Sequence, residues 1–182
     1  MKKALLIAAL AVSVAACTPK NEYRIHGYVK DASLNDVQVF LVPLHDQSPA
    51  MVDSVYIKDN KFEFKGHGKM RQEWIADIRL DRRHRYGIEN LLIVTEPGDI
   101  YVTIGPTSSC YGTPQNDSLQ VWKDATTAVN KTTSNLRRIG KNHEADSIRA
   151  AYRLRSSAMG VALGEESTLG KFLLSKYPAP KE

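Results

Sequence analysis

Cysteine is scarce here. The 182 residues hold only Cys17 and Cys110, with no C-x-x-C pair, so the chain cannot run a two-thiol exchange cycle by itself. Also missing are G-x-S-x-G, S-x-x-K, H-E-x-x-H and a phosphate-cradling glycine loop, which argues against hydrolase, nucleotide and zincin chemistry. His26, His45, His67, His84 and His143 include no H-x-H and no paired acidic ligands at close spacing, so neither a metal nor any other cofactor is expected. His67, inside "GHG", reads as a turn residue. No long apolar run is present either: the longest, Ala4 to Ala16, is broken only by Ser13. As a helix it would be about 20 Å long, against a hydrocarbon core of about 30 Å, so a permanent transmembrane span is not expected.

What the first residues do contain is Lys2 and Lys3 ahead of that run, the grammar of a secretory signal. Its end, Val14-Ala15-Ala16-Cys17, resembles a bacterial lipobox. The resemblance implies a signal peptide at 1–16, a diacylglycerol thioether on Cys17, an acylated new amino terminus and a tether at 17–22. Two or three acyl chains, at about 0.8 kcal/mol per buried methylene, hold a protein on a bilayer where one would not. Thr18, standing where Asp would signal retention, favours the outer membrane by analogy with enteric sorting. Loss of Lys2 and Lys3 lowers the formal charge from +5 to +3, too little to suggest nucleic acid as a partner. A lipidated Cys17 also leaves Cys110 unpaired.

From Tyr23 to about Gly112 the hydrophobic pattern has period two, with turn signals every eight to twelve residues. Tyr23, Ile25 and Val29 alternate with Arg24, His26 and Lys30, and Gly27 marks a bulge or close packing. Val37, Val39 and Leu41 form a second inward set, and Trp74, Ala76, Ile78 and Leu80 a third. "VYIKDNKFEF" at 55–64 reads as a hairpin turning on Asp59-Asn60, with Ile57 facing Phe62, Val55 facing Phe64 and Tyr56 facing Glu63. "NLLIVT" and "DIYVTI" flank the Glu96-Pro97-Gly98-Asp99 turn; the first is apolar on both faces and is expected to be central.

Beyond Gly112 the period becomes helical. Thr113 is placed to be an N-cap, with Pro114 in the first turn. Leu119, Trp122, Ala125, Val129, Leu136 and Ile139 then recur on one stripe up to Gly140, which ends the helix in a left-handed conformation. A second helix is expected over Asn142 to Leu163 and a third over Thr168 to Tyr177, both packed with the first onto the strands. The fold class is therefore α+β: an antiparallel β-sandwich of about seven strands at 23–112, followed by a small helical region and tail at 113–182.

Five stretches resemble, in order and spacing, a family called DUF4369. They are "IHGYV" at 25–29, "VQVFLVPL" at 37–44, "VDSVYIKDNKFEFKG" at 52–66, "LIVTEPGDIYVTI" at 92–104 and "YGTPQNDSL" at 111–119. The resemblance implies a Bacteroidetes envelope lipoprotein. Such relatives commonly continue through a helical connector into a thioredoxin-like domain with a W-C-x-x-C site. The chain given stops at Glu182, so no redox activity is carried over, and the family pattern has no catalytic residues to transfer.

Three sets of residues remain as candidates. Cys110 is either a reactive thiol near cations or, the favoured reading for a lone cysteine near a strand end, a small buried hydrophobe. "RLDRRHRYG" at 79–87 concentrates Arg82, Arg83 and Arg85 in a strand connection. The tether of Thr18 to Glu22 reaches about 18 Å, so these arginines either meet anionic head groups or an acidic partner, or form a solvated loop tip. Ser54, Ser118 and Ser147 each follow Asp and precede an aliphatic residue, a pattern resembling the O-glycosylation acceptor of exported Bacteroidetes proteins. Asp and Ser are also ordinary turn and cap residues. The expected function is that of a lipid-anchored, non-catalytic binding or adaptor module for an unidentified envelope protein or ligand. Alternatives are an accessory to a separate thioredoxin-like oxidoreductase, or a structural or nutrient-capture lipoprotein.

Overall fold

A computed structural model describes residues 22–66, 74–84 and 86–179. Alternating patterns fold as strands β1 (Tyr23–Val29), β2 (Gln38–Pro43), β3 (Asp53–Tyr56), β4 (Lys61–Gly66), β5 (Ile75–Leu80), β6 (Leu91–Val94), β7 (Gly98–Ile104) and β8 (Ser109–Tyr111). They form two four-stranded sheets, ordered β4-β1-β7-β8 and β3-β2-β5-β6. Between the sheets Ile25, Phe64, Ile100 and Val102 meet Leu41, Ile78, Leu80 and Ile93, all buried. The helices are α1 (Pro114–Arg138), α2 (Asn142–Leu163) and α3 (Thr168–Lys176). Gly140 has φ +79°, the left-handed stop expected after α1.

Four expectations change. The sandwich has an eighth strand, β8, and it is not wholly antiparallel, because β1 pairs with β7 in parallel, Tyr23 opposite Gly98 and Val29 opposite Ile104. A parallel pair needs a long crossover, and here the connection runs from β2 to β6, crossing to the second sheet, returning to the first as β4 and crossing again. The 55–64 hairpin keeps its turn, with Asp59 at φ +49° and Asn60 at φ +62°, as a type I′ turn requires. Its strands nevertheless part after the Lys58–Lys61 bridge. Ile57 instead exchanges backbone hydrogen bonds with the stretch before β2, its N–H donating to Val37 O and its carbonyl accepting from Asp36 N–H. β3 then pairs with β2 and β4 with β1, so the Val55–Phe64 and Tyr56–Glu63 pairs do not form.

"NLLIVT" supplies β6, an edge strand and not a central one. It is apolar on both faces because Leu91 and Ile93 enter the sandwich core, while Leu92 and Val94 meet a second cluster formed with Leu119, Leu169 and Leu173 of the helices. Gly27 marks close packing and not a bulge: the β1–β4 register runs unbroken, and a Cβ on Gly27 would lie 2.2 Å from Phe62 Cζ.

α1 is attached along only part of its length. Asn116 sits beside Val94 at one end of the sandwich, and Lys123 Nζ reaches Glu89 Oε2 at 2.9 Å and the Ser108 carbonyl at the other. The rest of the helix, Asp124 to Arg138, continues about 22 Å past the sheets with α2 folded back along it.

Candidate functional site

The arginine stretch marks one wall of a groove of about 530 Å³ on the outer face of the second sheet. Phe40 and Val42 of β2 form its apolar floor, Gln47 and Val52 come from the β2–β3 connection, and Arg79, Arg82 and Arg83 come from β5 and the turn after it. Alternation dictates this: Ala76, Ile78 and Leu80 fill the core, so Asp77 and Arg79 must point outward. The turn is shaped by Asp81, whose Oδ1 accepts the Arg83 N–H at 2.6 Å and approaches His84 Nδ1 at 3.1 Å. These bonds hold the Asp81 carboxyl below its ordinary pKa. Asp81 also pairs with Arg83 at 3.5 Å, whereas Arg82 has no ionic partner among the described residues. Arg85 lies outside the described residues.

Asp77 sits in the ladder between Val42 and Leu92. Desolvation there raises its pKa to about 6, against the opposing pull of Arg79. The pair is only loosely made, with Arg79 Nε 3.4 Å from Asp77 Oδ2, and both Asp77 Oδ1 and Arg79 Nε are buried without a hydrogen-bond partner. Asp81 and Leu80 complete the lining, and among the described residues no Ser, Thr, Cys or His lines the groove. Three guanidinium groups and one carboxylate thus stand beside an apolar floor.

The position of the groove was not legible in advance. The Ile75 end of β5 lies by Val94 and the Glu96–Gly98 turn, where Gly98 pairs with Tyr23. Arg82 and Arg83 follow the Leu80 end, about 20 Å away along the strand. The arginines and the start of β1 therefore occupy opposite ends of the sandwich. Cys17 and its tether to residue 21 lie outside the described residues.

The outer face of the first sheet is uncovered. Across it run the rows Glu63–His26–Tyr101–Tyr111 and Lys61–Tyr28–Thr103–Ser109. His26 Nε2 is 2.7 Å from Asp99 Oδ1, and its ring stacks on Tyr101 at 5.0 Å. Period-two alternation assigned Arg24 and His26 outward but did not single out the tyrosines.

Cys110 is fully buried. Burial drives its thiol up to about 12, with nearby Lys123 too weak a counterweight. A buried cysteine packs as a small hydrophobe. Ser54 and Ser147 are exposed and Ser118 is half-buried in α1. The aspartate before each has a structural partner: Asp53 accepts the Ser54 N–H, Asp117 accepts the Gly112 N–H, and Asp146 pairs with Arg137.

Sequence reasoning missed the polar seam that seats α1. Asn116 Oδ1 accepts the Val94 N–H at 2.9 Å while Nδ2 donates to the Val94 carbonyl at 2.8 Å, completing the ladder at the β6 edge with a side chain. Gln120 Oε1 accepts the Cys110 N–H. The N-terminal N–H groups of Gln115 and Asn116 are taken by Glu96; Thr113, at the N-cap position, makes no cap bond and accepts from Asn116 Nδ2 instead. Buried amides four apart on a helix, facing strand ends, were the available signal.

Among the described residues no three His, Cys, Asp or Glu gather to hold a metal ion, and no helix is long and apolar enough to cross a membrane. Residues 23–119 match the family DUF4369, a domain of unknown function. The chain belongs to this family. Comparison with curated proteins and with solved structures gives no match. The DUF4369 match takes in all eight strands and the first turn of α1 with Asn116, so the seam that seats the helix falls inside the family's own boundaries.

Proposed function

We propose that the protein is an envelope lipoprotein, anchored through acylated Cys17, whose DUF4369 sandwich is a non-catalytic binding module for an acidic partner protein. The observation that supports this reading is the groove formed by Phe40, Val42, Arg79, Arg82 and Arg83, in which Arg82 has no ionic partner among the described residues. Its distance from the start of β1 favours a protein partner over the anchoring bilayer. With a tether of about 18 Å, a sandwich standing on its β1 end holds these arginines away from lipid head groups.

A photo-crosslinker at Gln47, in the lipidated protein and in intact envelopes, tests the proposal. A single discrete adduct is expected, lost when Arg82→Ser and Arg83→Ser are combined. Binding to phosphatidylglycerol vesicles should be unchanged by that double substitution. Vesicle binding that collapses with the arginines would transfer the groove to lipid, and recovery of no specific adduct would remove the adaptor role.

A further inference from the structure

A second groove lies in the helical region and belongs to a different chemistry. It has a volume of about 410 Å³ between α1 and α2. Val121, Trp122, Ala125 and Val129 form one wall. Ile148, Ala151 and Met159 face them from α2. Between Val121 and Val129 it runs about 12 Å along α1. Ala125 and Ala151 create the recess, since each presents only a methyl group where larger side chains would close the helix pair.

The polar groups of this groove are few: Arg155, Ser156, the Tyr152 hydroxyl and the Trp122 indole. Arg155 lines it and makes no ion pair or hydrogen bond among the described residues. The indole N–H of Trp122 is buried without an acceptor. The Tyr152 hydroxyl is already engaged by Thr126 Oγ1 at 2.6 Å and by the Tyr177 hydroxyl at 3.3 Å. Among the described residues no carboxylate lines the groove, and the nearest acid along α1, Asp124, accepts from Gln120 Nε2. A narrow apolar trough carrying an unpaired cation is complementary to a molecule with a long apolar body and one anionic end.

We infer that the α1–α2 groove is a binding site for a carboxylate-bearing acyl chain of medium length, with the carboxylate at Arg155 and the chain lying over Ala125 and Ala151 toward Val129 and Ile148. This goes beyond the adaptor reading and does not depend on it.

The test is calorimetric titration of the full chain, carrying Cys17→Ser so that no detergent is needed, with laurate and with dodecylammonium, both below their micelle concentrations. Laurate should saturate at one per chain and dodecylammonium should not displace it. Arg155→Gln should weaken laurate about tenfold, the loss of one charge-assisted hydrogen bond. Ala151→Phe and Ala125→Phe, which fill the recess from opposite walls, should each abolish binding while keeping the native circular dichroism. The inference is overturned if laurate does not saturate, if dodecylammonium binds equally well, or if a folded Phe variant retains affinity. It is equally overturned if sedimentation shows a dimer that the Phe variants dissociate, because the groove then belongs to a second copy of the chain.

Discussion

Inside the sandwich, Ile25, Ile78, Ile93 and Ile100 meet without a polar atom to satisfy, whereas the surface joining α1 to the strands is threaded by Asn116, Gln120 and Glu96. The two regions do different work. Apolar burial is non-directional and supplies most of the stability, at roughly 25 cal/mol per Å². The amides of the seam are directional: each leaves buried backbone groups orphaned if the helix turns or slides, so they fix how α1 sits. The groove between α1 and α2 then inherits its orientation from Asn116 and Gln120, since α1 forms one of its walls.

The comparison breaks hardest in the core. Ile78→Ala should lower stability by about 4 kcal/mol through lost transfer energy and a residual cavity, seen as a shifted urea midpoint with little change in slope. Asn116→Leu should remove about 3 kcal/mol, because both polar groups of Val94 lose their partner at once. Unlike the core variant, it should speed amide exchange in α1 selectively; uniform exchange across both regions would mean the seam is not the locus of attachment.

Asp77 sharpens the contrast from the other sheet face. Its pKa in the fold is raised to about 6, above the ordinary value, so the native state binds the proton more tightly than the unfolded chain. The contribution of this group is fully present below pH about 4 and is lost as pH rises through about 6, an effect of roughly 2 kcal/mol. Asp77→Asn should flatten that slope in pH-dependent urea unfolding; an unchanged slope would assign it to other carboxylates. The smallest effect is expected at Cys110. A maleimide probe should leave the native protein unmodified for as long as it stays folded and should react on unfolding, because thiol exposure requires opening the contact with Leu92 and Asn116.

Local chemistry made much of the chain legible. Ile148, Tyr152 and Met159 at helical spacing located α2 over Asn142–Leu163, and Pro114 and Gly140 bracketed α1. The turn at Asp59-Asn60 was equally legible, since two consecutive positive-φ positions suit Asp and Asn. What failed was partner choice. Ile57, Phe62 and Phe64 are buried in the same core whether their strands pair with each other or with β2 and β1, so alternation cannot tell the two arrangements apart. The parallel β1–β7 pair is set by contacts more than seventy residues apart, which no local pattern encodes. Of the sandwich groove, Arg82 and Arg83 were visible as a cluster, but their floor of Phe40 and Val42 and their distance from β1's start follow from that same non-local pairing.

β1 is hydrogen-bonded on both sides, to β4 antiparallel and to β7 parallel, from its first residue Tyr23 onward. Were the protein held by its amino terminus as proposed, load carried along the strand would arrive first at that residue. The two ladders then resist in shear, with their bonds strained together, where a strand pulled sideways would unzip them one after another. Under that proposal β1 would transmit tension into the middle of a sheet and leave the helical hairpin, which takes no part in either ladder, outside the line of force.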